Sequence, residues 1–323
     1  MNDTHIYRLI ISNREQIRLM AATALQNLSM LHTSFDTIED AGTQLELLLN
    51  DSWAAYIFQT DGERSISISE NAIRRYGADG TPEQVAGHEA IIGRCHTLRM
   101  QYAHGREYLL RAEQRLLRAE QTDDARALLS DILHDLAMNH QQSGGSPDGT
   151  LVYLERALEV LAPTQWHTRK GICLMGCGNA YFVMERIEAA LAHYQQAEGM
   201  LSDDAGANNR AAVLSNIGLC YTNMSEYDIA ETYLRSALDM RLRLGSYPEI
   251  ANSYYNLFAH YDRQGAHIRA YENLLASRDY AFISQTRSLQ LVILSDLERL
   301  ARTLGDKEAA AKHKRQYDEM VAS

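Results

Sequence analysis

The sequence predicts an all-α protein, a solenoid of stacked antiparallel helix pairs. Three observations carry that reading. First, Ala190, Ala230, Ala270 and Ala310 stand 40 residues apart, and the same phase aligns Gly178, Gly218, Phe258 and Glu298 twelve residues before them. A fixed period of this length marks a stacked array rather than one closed core. Second, within one unit Leu214, Ile217, Gly218 and Tyr221 share a helical stripe. Ala230, Leu234 and Ala237 form a second stripe after the Ser225-Glu226 turn. Third, the chain holds only 4 prolines, Pro82, Pro147, Pro163 and Pro248. Each falls in a connection or at a helix start, where no internal hydrogen bond is lost.

In chain order, the segment 3–35 places Ile10, Ile17, Ala24 and Leu31 every seven residues, with Ile6 and Met20 between them. Such a heptad would support pairing of two copies. Because Asn13 and Asn27 occupy the companion seam and the run is short, covering the first repeat is the preferred role, with a homodimer as the alternative. A degenerate repeat is expected over Trp53 to Ala72, and another at Ile92-Gly93-His96-Gly105-Leu109-Ala112. Leu133-Leu136-Ala137-His140 with Leu154 and Ala157 fits if the Ser143 to Pro147 loop carries one extra residue. The best-formed units follow, at Leu174-Cys177-Gly178-Tyr181-Ala190-Tyr194-Ala197 and Leu214-Ile217-Gly218-Tyr221-Ala230-Leu234-Ala237. Two decaying units close the series, Tyr254-Leu257-Phe258-Tyr261-Ala270-Leu274-Ser277 and Leu294-Leu297-Glu298-Ala301-Ala310-Lys314-Tyr317. A polar, atypical last repeat is what a solenoid end requires. Glycine or alanine is needed where two helices cross at roughly 8–10 Å.

These residues resemble the tetratricopeptide repeat family, whose signature runs Leu-x2-Leu-Gly-x2-Tyr, then Ala-x3-aromatic, then Ala. The resemblance implies a right-handed superhelical solenoid of about 6–7 repeats with a C-terminal capping helix. It divides the chain into an N-terminal helical cap with a degenerate repeat, 1–82, and the repeat solenoid, 83–323, clearest over 170–284. A period longer than the family's basic unit looks like the long repeats of bacterial signalling proteins. These include peptide-responsive quorum regulators and the helical input domains that precede diguanylate cyclases.

Composition narrows the partners. A net charge of -11 with only 31 Lys and Arg argues against nucleic acid and against anionic membrane surfaces. Lys307, Lys312, Lys314 and Arg315 read as favourable charge at the end of a final helix. The start, Met1 to Met20, is interrupted by Arg8, Arg14, Glu15 and Arg18, so a signal peptide is not expected and a cytoplasmic location is. Cys95, Cys173, Cys177 and Cys220 lie on apolar stripes and read as reduced, buried thiols.

Function is expected in the concave groove lined by the first helix of each pair. Two residues before the crossing position stand Asp135, Gly176, Asn216 and Asn256; one residue after it stand Met138, Asn179, Leu219 and Ala259. An asparagine there can donate to a peptide carbonyl and accept from a peptide N–H, gripping an extended main chain. The resemblance implies the same use. The groove set is therefore Asp135, Asn179, Phe182, Asn216, Asn223, Asn252, Tyr255, Asn256 and Arg263, with Asp262 beside it. Phe182 and Tyr255 supply anchoring area, and Arg263 suits a carboxylate. A chaperone-type carboxylate clamp is not expected, because the consecutive cation positions hold Gly, Ser and Asn.

His88, Cys95, His96 and His104 recur at seven- or eight-residue steps, too far apart along one helix to converge on a metal. No metal, no cofactor and no catalytic set is expected, since phosphate loops and nucleophile elbows are missing. The reading is a protein- or peptide-binding scaffold or sensor in bacterial cytoplasmic signalling. The alternatives are a dimerising input domain of a larger signalling enzyme such as a diguanylate cyclase, and a peptide-responsive quorum-sensing regulator.

Overall fold

The structure is a computed structural model that describes residues 40–58, 61–201 and 207–322. The heptad of segment 3–35 lies outside the described residues. Among these residues all regular structure is helical, and the helices follow one another as pairs. The first three pairs are α1 (Ala41–Phe58) with α2 (Gly62–Tyr76), α3 (Pro82–Leu98) with α4 (Tyr102–Leu117), and α5 (Asp123–Gln142) with α6 (Pro147–Leu161). The next two are α7 (His167–Val183) with α8 (Ile187–Met200) and α9 (Ala207–Asn223) with α10 (Tyr227–Leu244). The last two are α11 (Tyr247–Arg263) with α12 (His267–Ile283) and α13 (Arg287–Thr303) with α14 (Lys307–Ala322). The architecture is the all-α, tetratricopeptide-like array of helix pairs that the periodicity predicts.

Local chemistry starts these helices where the sequence says. Thr81 and Gln84 form a reciprocal capping box around Pro82 at the head of α3. Thr122 accepts from the Ala125 N–H at the head of α5, and Ser146 accepts from Gly149 at that of α6, with Pro147 as first helical residue. Pro248 lies in the first turn of α11, and Pro163 in the turn after α6. The length added to the basic motif lies partly in the second helices, with 18 residues in α10 and 17 in α12.

The crossing glycines show why a small residue stands at those places. A Cβ on Gly178 would stand 2.5 Å from the Tyr194 ring, and one on Gly218 2.7 Å from Leu234 Cγ. Gly93 and Gly105 face each other in the α3/α4 pair. A Cβ on either would lie within 3.0 Å of the other's carbonyl oxygen, at 2.9 and 2.8 Å, and backbone cannot rotate away. The segment around Ile92 to Ala112 is thus a full repeat unit whose small residues are both glycines.

The chain divides within α7 into two compact units, one ending at Cys173 and one beginning at Leu174. The first has a core of Leu109, Leu116, Ile132, Leu133, Leu136 and their neighbours. The core of the second includes Leu234, Ile250, Leu257, Leu274, Ile293 and Leu297. Each fully buried leucine contributes about 1.5–3 kcal/mol.

The basic run near the C-terminus corrects one expectation. Lys307 is the first residue of α14, and the last turn of that helix carries no basic residue. The cations therefore line the side of the helix. The carbonyl of Met320 in its last turn is instead met by the Arg287 guanidinium reaching across from α13.

Candidate functional site

The first helices of the pairs present their off-core residues in register. In the N-terminal unit, Arg94, one residue after Gly93, holds Asp135, two before Ala137, through a two-pronged contact of 2.8 and 3.1 Å. The Arg94 guanidinium also lies 4.8 Å from the Trp53 ring. In the C-terminal unit the same two offsets meet again. Asn216 Nδ2 donates to Asn179 Oδ1 at 3.0 Å, and that oxygen also accepts from the Tyr194 hydroxyl at 2.8 Å. The residue after one crossing thus faces the residue two before the next, and where both are polar they bond.

The next rung is not closed. The register sets Leu219 opposite Asn256, and Leu219 packs on the core cluster of the unit. The half-buried Asn256 amide has no hydrogen-bond partner among the described residues. One rung further, Ala259 cannot reach Asp296. That carboxylate instead accepts from the Tyr255 hydroxyl at 2.9 Å and from Arg299 at 3.4 Å, while Arg299 also donates to Asp262 at 2.8 Å. Burial, reinforced by the Asp296 carboxylate that accepts its proton, pushes the Tyr255 phenol well above the usual tyrosine range. Its ring packs 5.1 Å from Phe258, so Tyr255 is pinned at both ends.

The predicted residues separate accordingly. Asp135 is only 8% exposed, and both its oxygens are taken by Arg94 in the N-terminal unit. Asn223 donates to the Leu219 carbonyl of its own helix. Phe182 is half-buried near the end of α7, whereas Asn252 and Arg263 are exposed on α11 with no polar partner among the described residues. Asn179, Asn216, Tyr255 and Asn256 belong to the single line of rungs just described, with Asp262 at its end. Sequence reasoning missed Asp296 and Arg299. The signal existed, because they stand two before and one after Glu298, the crossing position of the last unit.

Of the upstream histidines, His88 serves the core, His96 is half-buried and His104 is exposed. Both ring nitrogens of the fully buried His88 are engaged, by the Ser69 hydroxyl at 3.0 Å and the Leu45 carbonyl at 3.1 Å. A carbonyl only accepts, so Nε2 carries a proton; burial lowers the pKa to about 4, which favours the neutral ring near pH 7. His96 stacks on Tyr108 and bonds to Gln101. Among the described residues no group of His, Cys, Asp and Glu is placed to hold a metal ion, and no helix is long and apolar enough to cross a membrane.

No family model and no curated protein matches the sequence. Solved structures do. The apo form of RapI aligns with 100% of this chain and 87% of its own, at 12% identity and a TM-score of 0.67. The apo form of the quorum sensor NprR from B. thuringiensis aligns over 99% of both chains, at 13% identity and a TM-score of 0.64. NprR in complex with its cognate peptide NprX aligns over 98% of this chain and 99% of its own, at 13% identity and a TM-score of 0.58. At such identities the likeness is one of fold.

Proposed function

We propose that this chain is a peptide-responsive regulator of the quorum-sensing type, acting in the cytoplasm, and that its ligand is a short peptide held in extended form along the first helices of the C-terminal unit. The observation that carries the reading is the open rung at Asn256. A half-buried amide with donor and acceptor both free, on a line where the neighbouring amides are already bonded, is pre-positioned for a peptide main chain and costs little to desolvate further. Asn216 spends one proton on Asn179 and keeps its carbonyl oxygen for an N–H of the ligand. Tyr255, fixed by Asp296, offers a rigid ring edge beside Asn256.

The fold likeness supports this reading over a general scaffold, since the structures resembled over nearly their whole length include a quorum sensor and its complex with a cognate peptide. No catalytic step is assigned. The line of rungs binds by hydrogen bonds and offers no nucleophile beside a base.

The test begins with the protein isolated from its native cells, from which bound peptides are released, sequenced and resynthesised. Titration calorimetry should show at least a tenfold weaker affinity, about 1.4 kcal/mol, for Asn256→Ala. The Asn216→Ala/Asn256→Ala protein should lose binding altogether, with the Asn256→Ala melting temperature unchanged. A protein that carries no peptide, or alanine variants that bind as tightly as wild type, would overturn the assignment.

A further inference from the structure

We infer that the joint between the α9/α10 pair and the α11/α12 pair is a hinge built into the C-terminal unit, and that the ligand lies across it. The placement of the ligand rests on the function proposed above; the hinge does not.

The repeat alignment exposes the joint. One position near the end of each second helix holds Leu161, Leu201, Arg241 and Ala281, and its partner on the following first helix holds Cys173, Val213, Ser253 and Ile293. All eight are buried, Arg241 at 7% exposure. Three of these pairs are apolar; the third in order is an arginine and a serine. Arg241 Nη1 donates to Ser253 Oγ at 2.8 Å and to the Glu249 carbonyl at 3.2 Å, while its Nε is buried with no partner. No carboxylate among the described residues lies within ion-pair distance of it, and the Glu249 carboxylate is engaged by Ser246. Burial accordingly weakens the hold of Arg241 on its proton. His260, at the position of Cys220 and Leu300 in adjacent units, adds a second buried nitrogen without a partner, Nε2.

The opposite side of the same joint is loose as well. The joint before it is tied by Asn179 and Asn216, and the joint after it by Tyr255 to Asp296 and Arg299 to Asp262. Here Leu219 leaves Asn256 unbonded. The connector also differs, with Gly245 at φ 75° where the next connector sets Gln285 at φ 54°. Only glycine takes such angles at no steric cost and leaves them as easily. Besides the two from Arg241, two further hydrogen bonds cross the joint, Thr222 to His260 and Arg235 to Tyr261, so the pairs bend about it rather than part.

The physical asymmetry is in what opening exposes. At the α12–α13 joint it wets Ala281 and Ile293, which gain nothing from water. At the α10–α11 joint it rehydrates a cation and an imidazole nitrogen that are under-satisfied when shut. A peptide main chain spanning Asn216 on α9 and Asn256 on α11 would tie the open side, so that binding and closure are one equilibrium.

Amide hydrogen exchange on the full chain without ligand tests the hinge. Residues 250–258 of α11 should exchange at least tenfold faster than the aligned 290–298 of α13. Arg241→Leu/Ser253→Val should slow 250–258 by about tenfold, whereas Arg241→Lys should leave them fast. Should the double variant fail to fold by circular dichroism, Arg241→Met, which keeps length and removes charge, takes its place with the same expectation. Equal rates in the two wild-type segments, or no slowing once the charge is gone, would overturn the hinge. Neither result involves a peptide. A groove that binds peptide beside a rigid joint would remove the hinge alone, and a loose joint with no peptide bound would remove the ligand alone.

Discussion

Asp135 and Asn256 occupy the same place in their repeats, two residues before the crossing position, and do opposite work. The difference lies in the residue that each meets. Asp135 faces Arg94, which stands on Trp53, and the pair is mostly withdrawn from water, at 10% exposure for the Asp135 side chain and 27% for that of Arg94. Asn256 faces a leucine and stays unspent. Removing one member of a buried ion pair leaves the other charge desolvated. Asp135→Ala should therefore lower the unfolding free energy by about 2–3 kcal/mol, less than a fully buried pair would lose because Arg94 keeps some solvent. A urea titration followed by circular dichroism measures it; a loss below about 0.5 kcal/mol would mean that the pair is no more than a surface contact.

At the scale of the helix pair, the period extends into the backbone. Glu185, Ser225, Gly265 and Gly305 stand 40 residues apart in the turns between paired helices, with φ of 59°, 64°, 78° and 82°. The turn geometry demands a left-handed residue, and two repeats supply it without glycine at a steric cost of roughly 1–2 kcal/mol each. Glycine would relieve that strain but loses more freedom on folding. Ser225→Gly is thus expected to stabilise by about 0.5 kcal/mol, and Gly265→Ala to destabilise by about 1 kcal/mol, read as shifts in the urea midpoint. Opposite signs would show that the Ser225 side chain itself holds its turn. The Ser225-Glu226 turn was legible from the sequence; its left-handed residue was not, because serine carries no mark of φ.

Across the whole molecule, two units with separate cores imply separate cooperativity, because in a repeat array each element is stabilised chiefly by its neighbours. The chain offers a natural probe. Both of its 2 tryptophans, Trp53 and Trp166, lie in the N-terminal unit, whereas circular dichroism reports the helices of both. Urea unfolding followed by the two signals should give non-coincident transitions. Superimposable curves would mean that the units melt as one.

The sequence by itself determined the fold class, the helix pairs, the crossing glycines and the phase of the positions that flank them on the first helices. Each of these is a local or periodic property: small residues where Gly178 and Gly218 meet Tyr194 and Leu234, apolar stripes, caps such as Thr81 and Gln84. Only the tertiary structure decided which of the polar residues at those positions remain free. Whether an asparagine is spent depends on a residue some 40 positions away, Asn179 for Asn216 and Leu219 for Asn256. The same holds for Arg241, an ordinary surface residue in the sequence, which packing places in a leucine's slot opposite Ser253. Periodicity sets where side chains point, but satisfaction of a polar group is a property of pairs, and pairs exist only once the repeats are stacked.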